Sequence, residues 1–349
     1  MNNHLSPWES NCNLFDSELL SVNDVLLRPG HGIVKSRSEI DTNNNYIMSA
    51  PMDKVTGYDL CKAMLAKGQS PVLSRFIDPE ERKKAILEFA GEDNFWIAVS
   101  ADYKKEQEYL WDLVKNKRIN ICVDVAHGSS QEMGVTYYNW RQLPNVIGLM
   151  SGSIATPEAA FFCIELGCTH LRVGIGPGAA CTTRAATGVG VPQLSAVFEV
   201  ARCMERLHPS TYERSKFIII ADGGINTSGD IVKYLSAGAD AVMLGKLLSR
   251  TEESAGWYFS NNKKTKKYRG QASKEFQLEQ YGVAKNVEGE SGSEFNPSYS
   301  YSDFQQTLED GIRSAISYLG VSSISHLHPG NVEFVRITMN GFQESKTNL

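Results

Sequence analysis

The sequence predicts a single (β/α)8 barrel, an α/β fold, and two observations support this prediction. Eight short apolar runs recur along the 349 residues, and amphipathic sequence follows each of them. A barrel of this kind needs roughly 250 residues, so the chain has room for one barrel with additions. Because helices return the strands in parallel and the runs look buried on both faces, we predict a closed parallel barrel. An open doubly wound sheet is the alternative.

The predicted strands are each followed by polar or glycine residues, as expected of strands that end at a barrel mouth. They cover residues 47–50, 71–74, 95–99, 121–125, 146–150, 170–173, 217–221 and 241–244. Amphipathic segments such as 57–68 and 228–239 predict the helices between them. We therefore expect one catalytic domain over residues 1–349.

Three regions lie outside the eight units. Residues 1–45 form a polar N-terminal extension, and residues 302–349 hold a C-terminal helix and tail that we expect to close the barrel. Residues 261–301 are rich in Gly, Ser and Glu and predict a mobile flap after the eighth strand. The flap begins with the basic run NNKKTKK, which we interpret as a solvated loop.

Composition excludes several classes of function. The net charge of −5 argues against nucleic acid as a partner, because nucleic-acid binding usually needs a basic face. No apolar run reaches the ~18 residues of a membrane span, so we expect no membrane partner. The seven scattered cysteines contain no CxxC pair, which favours reduced thiols over disulfides or zinc. The start of the chain does not resemble a secretory signal, and we expect a cytoplasmic protein.

Residues that follow the strands meet at the C-terminal mouth of a barrel, where barrel enzymes carry their chemistry. Here they are Asp53, Asp124, His127, Ser153, Cys181, Asp222, Gly223, Gly224 and Gly245. Cys181 follows a glycine-rich loop and precedes two threonines, and a thiolate is a strong nucleophile near neutral pH. The alternative is a glycine-rich surface loop with a buried structural thiol.

Two glycine motifs predict a phosphate site. ADGGI ends the seventh strand and VMLGK ends the eighth, and these are the units that usually form a barrel phosphate site. Asp222 beside them suits the hydroxyls of a ribose, and Asp124 suits a second ribose or a carboxamide. The alternative is that these glycines only close two turns.

Eight segments resemble the IMP dehydrogenase/GMP reductase family. They are NDVLLRPG, SAPMDKVT, GIGPGAACTTR, TGVGVPQ, ADGGI, VMLG, EES and YRG, in an arrangement that runs from about Ser21 to Arg336. The resemblance implies a (β/α)8 barrel, a homotetramer, and covalent catalysis at purine C2 by Cys181.

The chain is more similar to the reductase branch, which converts GMP to IMP and ammonia with NADPH. The stretch between Phe76 and Phe95 is too short for the regulatory domain that is typical of the dehydrogenase. The segments DVAHG and PQLSAV resemble the corresponding reductase sequences. The flap has Gln280-Tyr281 where the dehydrogenase carries an arginine–tyrosine pair that activates water. The alternatives are a dehydrogenase without the regulatory domain, which converts IMP to XMP with NAD, and a catalytically altered nucleotide-binding relative.

The resemblance also implies roles for individual residues. Thr183 and Glu288 would carry a proton to the departing ammonia. The purine nucleoside monophosphate would contact Asp222, Gly223, Gly224, Gly245, Lys246, Gly270, Gln271 and Gly289. NADPH would contact Ser36, Arg37, Asp124, Val125, Ala126, Ile175 and Gly176, with Ser314 and Ser317 contributed by a neighbouring subunit. A potassium ion would lie at Gly176, Gly178, Cys181 and Arg184. The Arg37 guanidinium suits a phosphorylated cofactor.

Several positions depart from the family pattern. Ala179 stands where the family has a serine, and Gly152-Ser153 replaces Gly-Asn. Residues 73–76 read LSRF where the reductase has histidines and a lysine. Gln271-Ala272 and Asn286-Val287 also differ from the reductase flap. Several of these changes replace groups that could hydrogen-bond a ligand, so they bear on purine preference more than on reaction class.

Overall fold

The computed structural model describes residues 18–32, 34–42, 45–207, 216–260, 263–297 and 299–345. Its strands are β1 (Val25–Leu27), β2 (Ile47–Ser49), β3 (Val72–Leu73), β4 (Trp96–Val99), β5 (Ile119–Val123), β6 (Val146–Met150), β7 (His170–Val173), β8 (Ile218–Asp222), β9 (Ala241–Leu244), β10 (Trp257–Ser260), β11 (Lys263–Arg269), β12 (Ser291–Phe295) and β13 (Phe334–Arg336).

The α-helices alternate with these strands. They are α1 (Tyr58–Leu65), α2 (Pro79–Phe89), α3 (Tyr103–Val114), α4 (Gln131–Arg141), α5 (Pro157–Glu165), α6 (Thr183–Thr187), α7 (Gln193–Leu207), α8 (Ser228–Ser236), α9 (Lys274–Tyr281), α10 (Tyr301–Leu319) and α11 (Met339–Glu344). Short 3-10 helices cover Val22–Asp24, Arg37–Glu39, Leu248–Arg250 and Ile324–His326. None of these described helices is both long enough and apolar enough to span a bilayer.

Strands β2 to β9 form the barrel. From β3 to β9 each strand pairs in parallel with the next, and β2 pairs in parallel with β9. A parallel bridge between Met48 and Ser70 joins β2 to the segment that leads into β3. The predicted (β/α)8 fold is therefore confirmed. The predicted strand 121–125 instead begins and ends two residues earlier, as β5. Ile119 and Asn120 already pair with β6, and Asp124 turns into the mouth.

Two apolar layers hold the barrel together. Met48, Trp96, Cys122, Met150 and Met243 belong to the cluster inside the barrel and are almost fully buried. Their alternate neighbours on the strands face the helices and join a much larger outer cluster. This alternation explains the continuous apolar runs in the sequence, since both faces of a barrel strand are buried. Burial of such side chains stabilises the fold by roughly 25 cal/mol per Å² of apolar surface removed from water.

Two short strands, one from each terminal region, pair outside the barrel. β1 from the N-terminal extension pairs antiparallel with β13 from the tail, with Val25 opposite Arg336. The sequence did not reveal this pairing, because both strands are only three residues long. Helix α10 packs against α8 and α1, so it serves as the eighth helix of the barrel.

The region between β9 and α10 is a small antiparallel sheet with a helix. Its strands lie in the order β10–β11–β12, and α9 lies between β11 and β12 in the chain. The interpretation of the basic run as a solvated loop was wrong for its described part, since residues from Lys263 onward form β11. Lys266 is fully buried and its Nζ donates to the Glu252 carbonyl at 2.9 Å. Burial lowers the pKa of Lys266 to about 7.

Candidate active site

A cavity of about 440 Å³ opens at the C-terminal mouth of the barrel. The loops after β2, β3, β5, β7 and β8 contribute to its wall, and the segment from Tyr268 to Gly289 covers one side. The predicted site residues that line it are Asp124, Val125, Ala126, Gly178, Cys181, Thr183, Asp222, Gly270, Gln271, Glu288 and Gly289. Residues that are distant in sequence are thus brought to one cavity by the barrel.

Three of these side chains form a hydrogen-bonded chain. The Cys181 thiol donates to Thr183 Oγ1 at 3.2 Å, and the Thr183 hydroxyl donates to Glu288 Oε2 at 2.8 Å. Cys181 is exposed to the cavity, so the alternative of a buried structural thiol does not hold. The arrangement can pass a proton between the sulfur and the carboxylate.

Backbone pairing places Glu288 beside the cysteine loop. The Thr182 amide donates to the Glu288 carbonyl at 2.8 Å, and the Glu290 amide donates to the Ala180 carbonyl at 2.9 Å. Cys181 and Gly289 form an antiparallel bridge. Main-chain bonds therefore fix the segment that carries Glu288, and the bond from Thr183 fixes its carboxylate.

A row of alternating charges lies at the bottom of the cavity. Arg172 on β7 donates to Asp124 Oδ1 at 3.2 Å and to Ser153 Oγ at 3.1 Å, and its Nε lies 2.9 Å from Asp222 Oδ2. Arg75 Nε lies 3.6 Å from the other oxygen of Asp124. Burial raises the pKa of Asp222, and the charge of Arg172 opposes this shift. The Arg172 guanidinium thus holds two carboxylates that the sequence assigned to different ligands.

A second cavity, of about 150 Å³, adjoins the first and is lined by the predicted phosphate loops. Gly223 and Gly224 have φ angles of +96° and +74°, which other residues rarely adopt. A Cβ on Gly223 would lie 2.9 Å from the Pro177 ring, so close packing also requires glycine there. Gly245 and Lys246 line the same cavity, as do Ala179 and Tyr268.

Of the predicted potassium residues, Gly176, Gly178 and Cys181 lie in the loop before α6, and Arg184 lies in α6 itself. Gly176 has a φ of +85°, and a Cβ there would lie 2.6 Å from Arg184 Cγ. Arg184 Nε donates to the Ile175 carbonyl at 3.2 Å, and the Gly178 carbonyl accepts from the Cys181 amide at 2.9 Å. The loop therefore offers carbonyl oxygens, the donor type that suits a monovalent cation. Within the described ranges no group of three or more His, Cys, Asp or Glu side chains is arranged to hold a metal.

Four of the predicted cofactor residues lie elsewhere. Arg37 Nη1 donates to Ser314 Oγ at 3.0 Å, and its guanidinium lies 5.4 Å from the Tyr318 ring centre. Ser36 caps the 3-10 helix that holds Arg37, and Ser317 is on the same helix as Ser314. Ser36 and Arg37 are exposed, whereas Ser314 and Ser317 are half-buried. These residues lie together in a single chain, and none of them lines the main cavity.

Several cavity residues were missed in the sequence. Arg75 and Phe76 were noted only as departures from the family pattern. They come two and three residues after β3, so their place at the mouth was a signal that could have assigned them to the cavity. Arg172 was missed because it is inside an apolar strand, where nothing in the local pattern reveals its distant carboxylates. Phe276 on α9 was missed because no helix was expected within the flap, whereas Tyr281 on the same helix had been noted only for its neighbour Gln280.

Comparisons of the sequence with known proteins match one family. The sequence model of the IMP dehydrogenase / GMP reductase domain matches residues 19–348. The human protein GMP reductase 2 is 32% identical over 348 residues, which cover 91% of this chain and 94% of the relative. A GMP reductase from Shewanella pealeana is 30% identical over 95% of this chain and 96% of the relative.

An inosine-5'-monophosphate dehydrogenase from Thermoplasma acidophilum is 40% identical over 236 residues, but these cover 64% of this chain and only 46% of the relative. The chain thus spans about half the length of such dehydrogenases. Proteins of the matched family are oxidoreductases that act on purine nucleotides with nicotinamide cofactors. The match over nearly the whole chain shows that this protein belongs to the IMP dehydrogenase/GMP reductase family.

Proposed function

We propose that the protein is an NADPH-dependent GMP reductase, which converts GMP to IMP and ammonia through a covalent bond at Cys181. The observation that carries this proposal is the chain from the Cys181 thiol through Thr183 to Glu288, with spacings of 3.2 and 2.8 Å. A nucleophile next to a proton relay is what an addition–elimination reaction at a ring carbon requires.

The adjoining cavities support a nucleoside monophosphate as substrate. The glycine turns at Gly223, Gly224 and Gly245, together with Lys246, would bind the 5'-phosphate. Asp222 would accept the ribose hydroxyls. Gly270, Gln271 and Gly289 would contact the base, which brings purine C2 toward Cys181.

The proposed chemistry follows from the relay. The thiol proton passes through Thr183 to Glu288 while Cys181 Sγ bonds to C2 and the C2–N3 π pair moves to N3. The same proton then passes to the 2-amino group, the bond from C2 to that group breaks, and ammonia leaves as the N3 pair restores the double bond of a thioimidate. A reduced nicotinamide cofactor, when bound, supplies the hydride for C2. The C–S bond then breaks, and the electron pair returns to sulfur.

Residues in the loops after β5 and β7 would contact the nicotinamide end of such a cofactor. Asp124, Val125 and Ala126 line the main cavity, and Ile175 and Gly176 line the adjoining one of about 190 Å³. The cluster of Ser36, Arg37, Ser314 and Ser317 has the cation and hydroxyls that suit a phosphate group of NADPH. Since this cluster lies outside the cavity, we propose that it serves the site of a neighbouring copy in a homotetramer. A potassium ion at the backbone carbonyls of Gly176, Gly178, Cys181 and Arg184 is part of the same proposal, and so is a cytoplasmic location.

Two observations favour the reductase over the dehydrogenase. Helix α2 ends at Phe89 and β4 begins at Trp96, so only a short connection stands where the dehydrogenase carries its regulatory domain. Tyr281 lines the main cavity, but its neighbour is Gln280 instead of an arginine. The 40% identity to the Thermoplasma dehydrogenase keeps IMP oxidation with NAD as the second candidate.

The experiment combines purified protein with GMP and NADPH and follows the absorbance of the reduced cofactor. We expect NADPH consumption with release of ammonia, and no turnover with IMP and NAD. The Cys181→Ala variant should still bind GMP but not consume NADPH. Turnover with IMP and NAD alone would establish the dehydrogenase instead, and nucleotide binding without turnover of either pair would establish a binding protein.

A further inference from the structure

Arg269, the last residue of β11, has its guanidinium almost entirely buried. Only 1% of its side chain is exposed. Its Nε and Nη2 donate to Asp53 Oδ2 at 3.0 and 2.6 Å, and its Nη1 donates to Glu275 at 3.1 Å and also to Glu279. One cation therefore holds three carboxylates.

These carboxylates belong to two different parts of the protein. Asp53 lies in the loop after β2, at the barrel mouth. Glu275 and Glu279 lie one turn apart on α9, and Phe276 on the same helix lies 5.2 Å from the guanidinium. Arg269 therefore links the barrel mouth to the flap helix.

The position of α9 in turn determines where Glu288 lies. The Glu288 amide donates to the Ala272 carbonyl at 3.2 Å, just before the helix, and Ser273 bridges to Gly289. The Gly270 amide donates to the Glu290 carbonyl at 3.0 Å. A shift of the helix would move the segment that holds Glu288 against Thr183.

We propose that Arg269 is a positioning residue, which fixes α9 against the barrel mouth and so keeps Glu288 in hydrogen-bond contact with Thr183. The catalytic part of this inference rests on the proposed function. A guanidinium suits the task because its planar fork can donate to several carboxylates at once, whereas an ammonium group cannot match that geometry. A buried cation must also keep its partners, because leaving it unpaired is costly. The arrangement therefore resists movement of the helix.

The test compares Glu279→Gln with the unmodified protein. Glu279 is half-exposed on the outside of α9, so its loss removes one carboxylate from Arg269 without leaving a cavity. We expect faster hydrogen exchange at the amides of Thr182, Glu288 and Glu290. We also expect kcat for GMP to fall about tenfold, with KM within about twofold, because the phosphate loops are untouched. Arg269→Lys should show the same pattern, provided that it folds.

Lys274→Gln is the control, since it removes a charge from an exposed position on the same helix. It should leave exchange and kcat unchanged. Unchanged exchange at the three amides in Glu279→Gln would overturn the proposal. If the unmodified protein does not consume NADPH with GMP, the proposed function fails, but the exchange comparison still decides whether Arg269 and Glu279 hold the flap.

Discussion

Replacement of Thr183 by valine tests the proton relay most directly. The hydroxyl of Thr183 is the central group of the relay, 3.2 Å from the Cys181 sulfur and 2.8 Å from a Glu288 oxygen. Valine has nearly the same shape, so Thr183→Val removes the proton path with little change in packing. Thr183 is also the first residue of α6, where loss of a hydroxyl does not interrupt helical hydrogen bonds.

The expected magnitude follows from the role of the relay. General acid–base catalysis contributes about 10²–10⁴-fold, and without Thr183 a water molecule can partly replace the path. We expect kcat to fall about 100-fold, or about 2.7 kcal/mol in transition-state free energy. KM for GMP should change by less than about threefold, because the phosphate cavity does not include Thr183.

The assay is steady-state consumption of NADPH at saturating GMP. Thr187→Val is the matched control, since it removes a hydroxyl from the same helix, where it donates to the Thr183 carbonyl at 2.7 Å. The control should retain most of the activity. A Thr183→Val enzyme with kcat within about threefold of the unmodified protein would refute the relay. Ammonia would then have to leave by another proton path.

Three further predictions concern binding and stability. Gly223→Ala should raise KM for GMP about tenfold or more in steady-state assays, since the φ of +96° and the Pro177 ring both oppose a side chain. An unchanged KM would argue against a phosphate at this turn. Ala179→Ser should lower the KM for GMP about tenfold, because a hydroxyl in the second cavity adds a hydrogen bond to the charged phosphate. An unchanged KM in this variant would place the phosphate elsewhere. Burial lowers the pKa of His170 from 6.5 to about 3, so the unfolded chain binds more protons between these values, and the stability from neutral His170 is lost as pH falls through this window. His170→Phe should therefore flatten the dependence of the urea midpoint on pH between 3 and 6.5, and an unchanged slope would contradict this account.

The barrel was predictable because its signal is local. Each strand is a short run with both faces buried, and the residue after the run lies at the mouth whatever the rest of the chain does. This is why Cys181, Asp124 and Asp222 could be assigned to one cavity before any contact was known. Strand ends are less certain, as the earlier start of β5 at Ile119 shows, because pairing with a neighbour decides them.

The flap could not be predicted in the same way. Its composition of lysine, glycine and serine resembles a solvated loop, and only pairing of β11 with β10 and β12 makes it a sheet. Lys266 shows the physical reason. Its buried amino group donates hydrogen bonds to the carbonyls of Glu252 and Ser254, and these partners lie on a separate turn. Such contacts depend on the tertiary structure and leave no periodic pattern in the sequence.

Tertiary contacts also connect the two carboxylates at the centre of the site. From the sequence, Asp124 and Asp222 are separate candidates for a cofactor and a nucleotide. In the structure both are held by Arg172, at 3.2 and 2.9 Å. A buried guanidinium that loses one carboxylate draws more strongly on the other, because neither water nor salt can compensate its charge fully. Movement of either carboxylate toward a ligand therefore changes the field at the other, so the two ends of the cavity form one electrostatic unit.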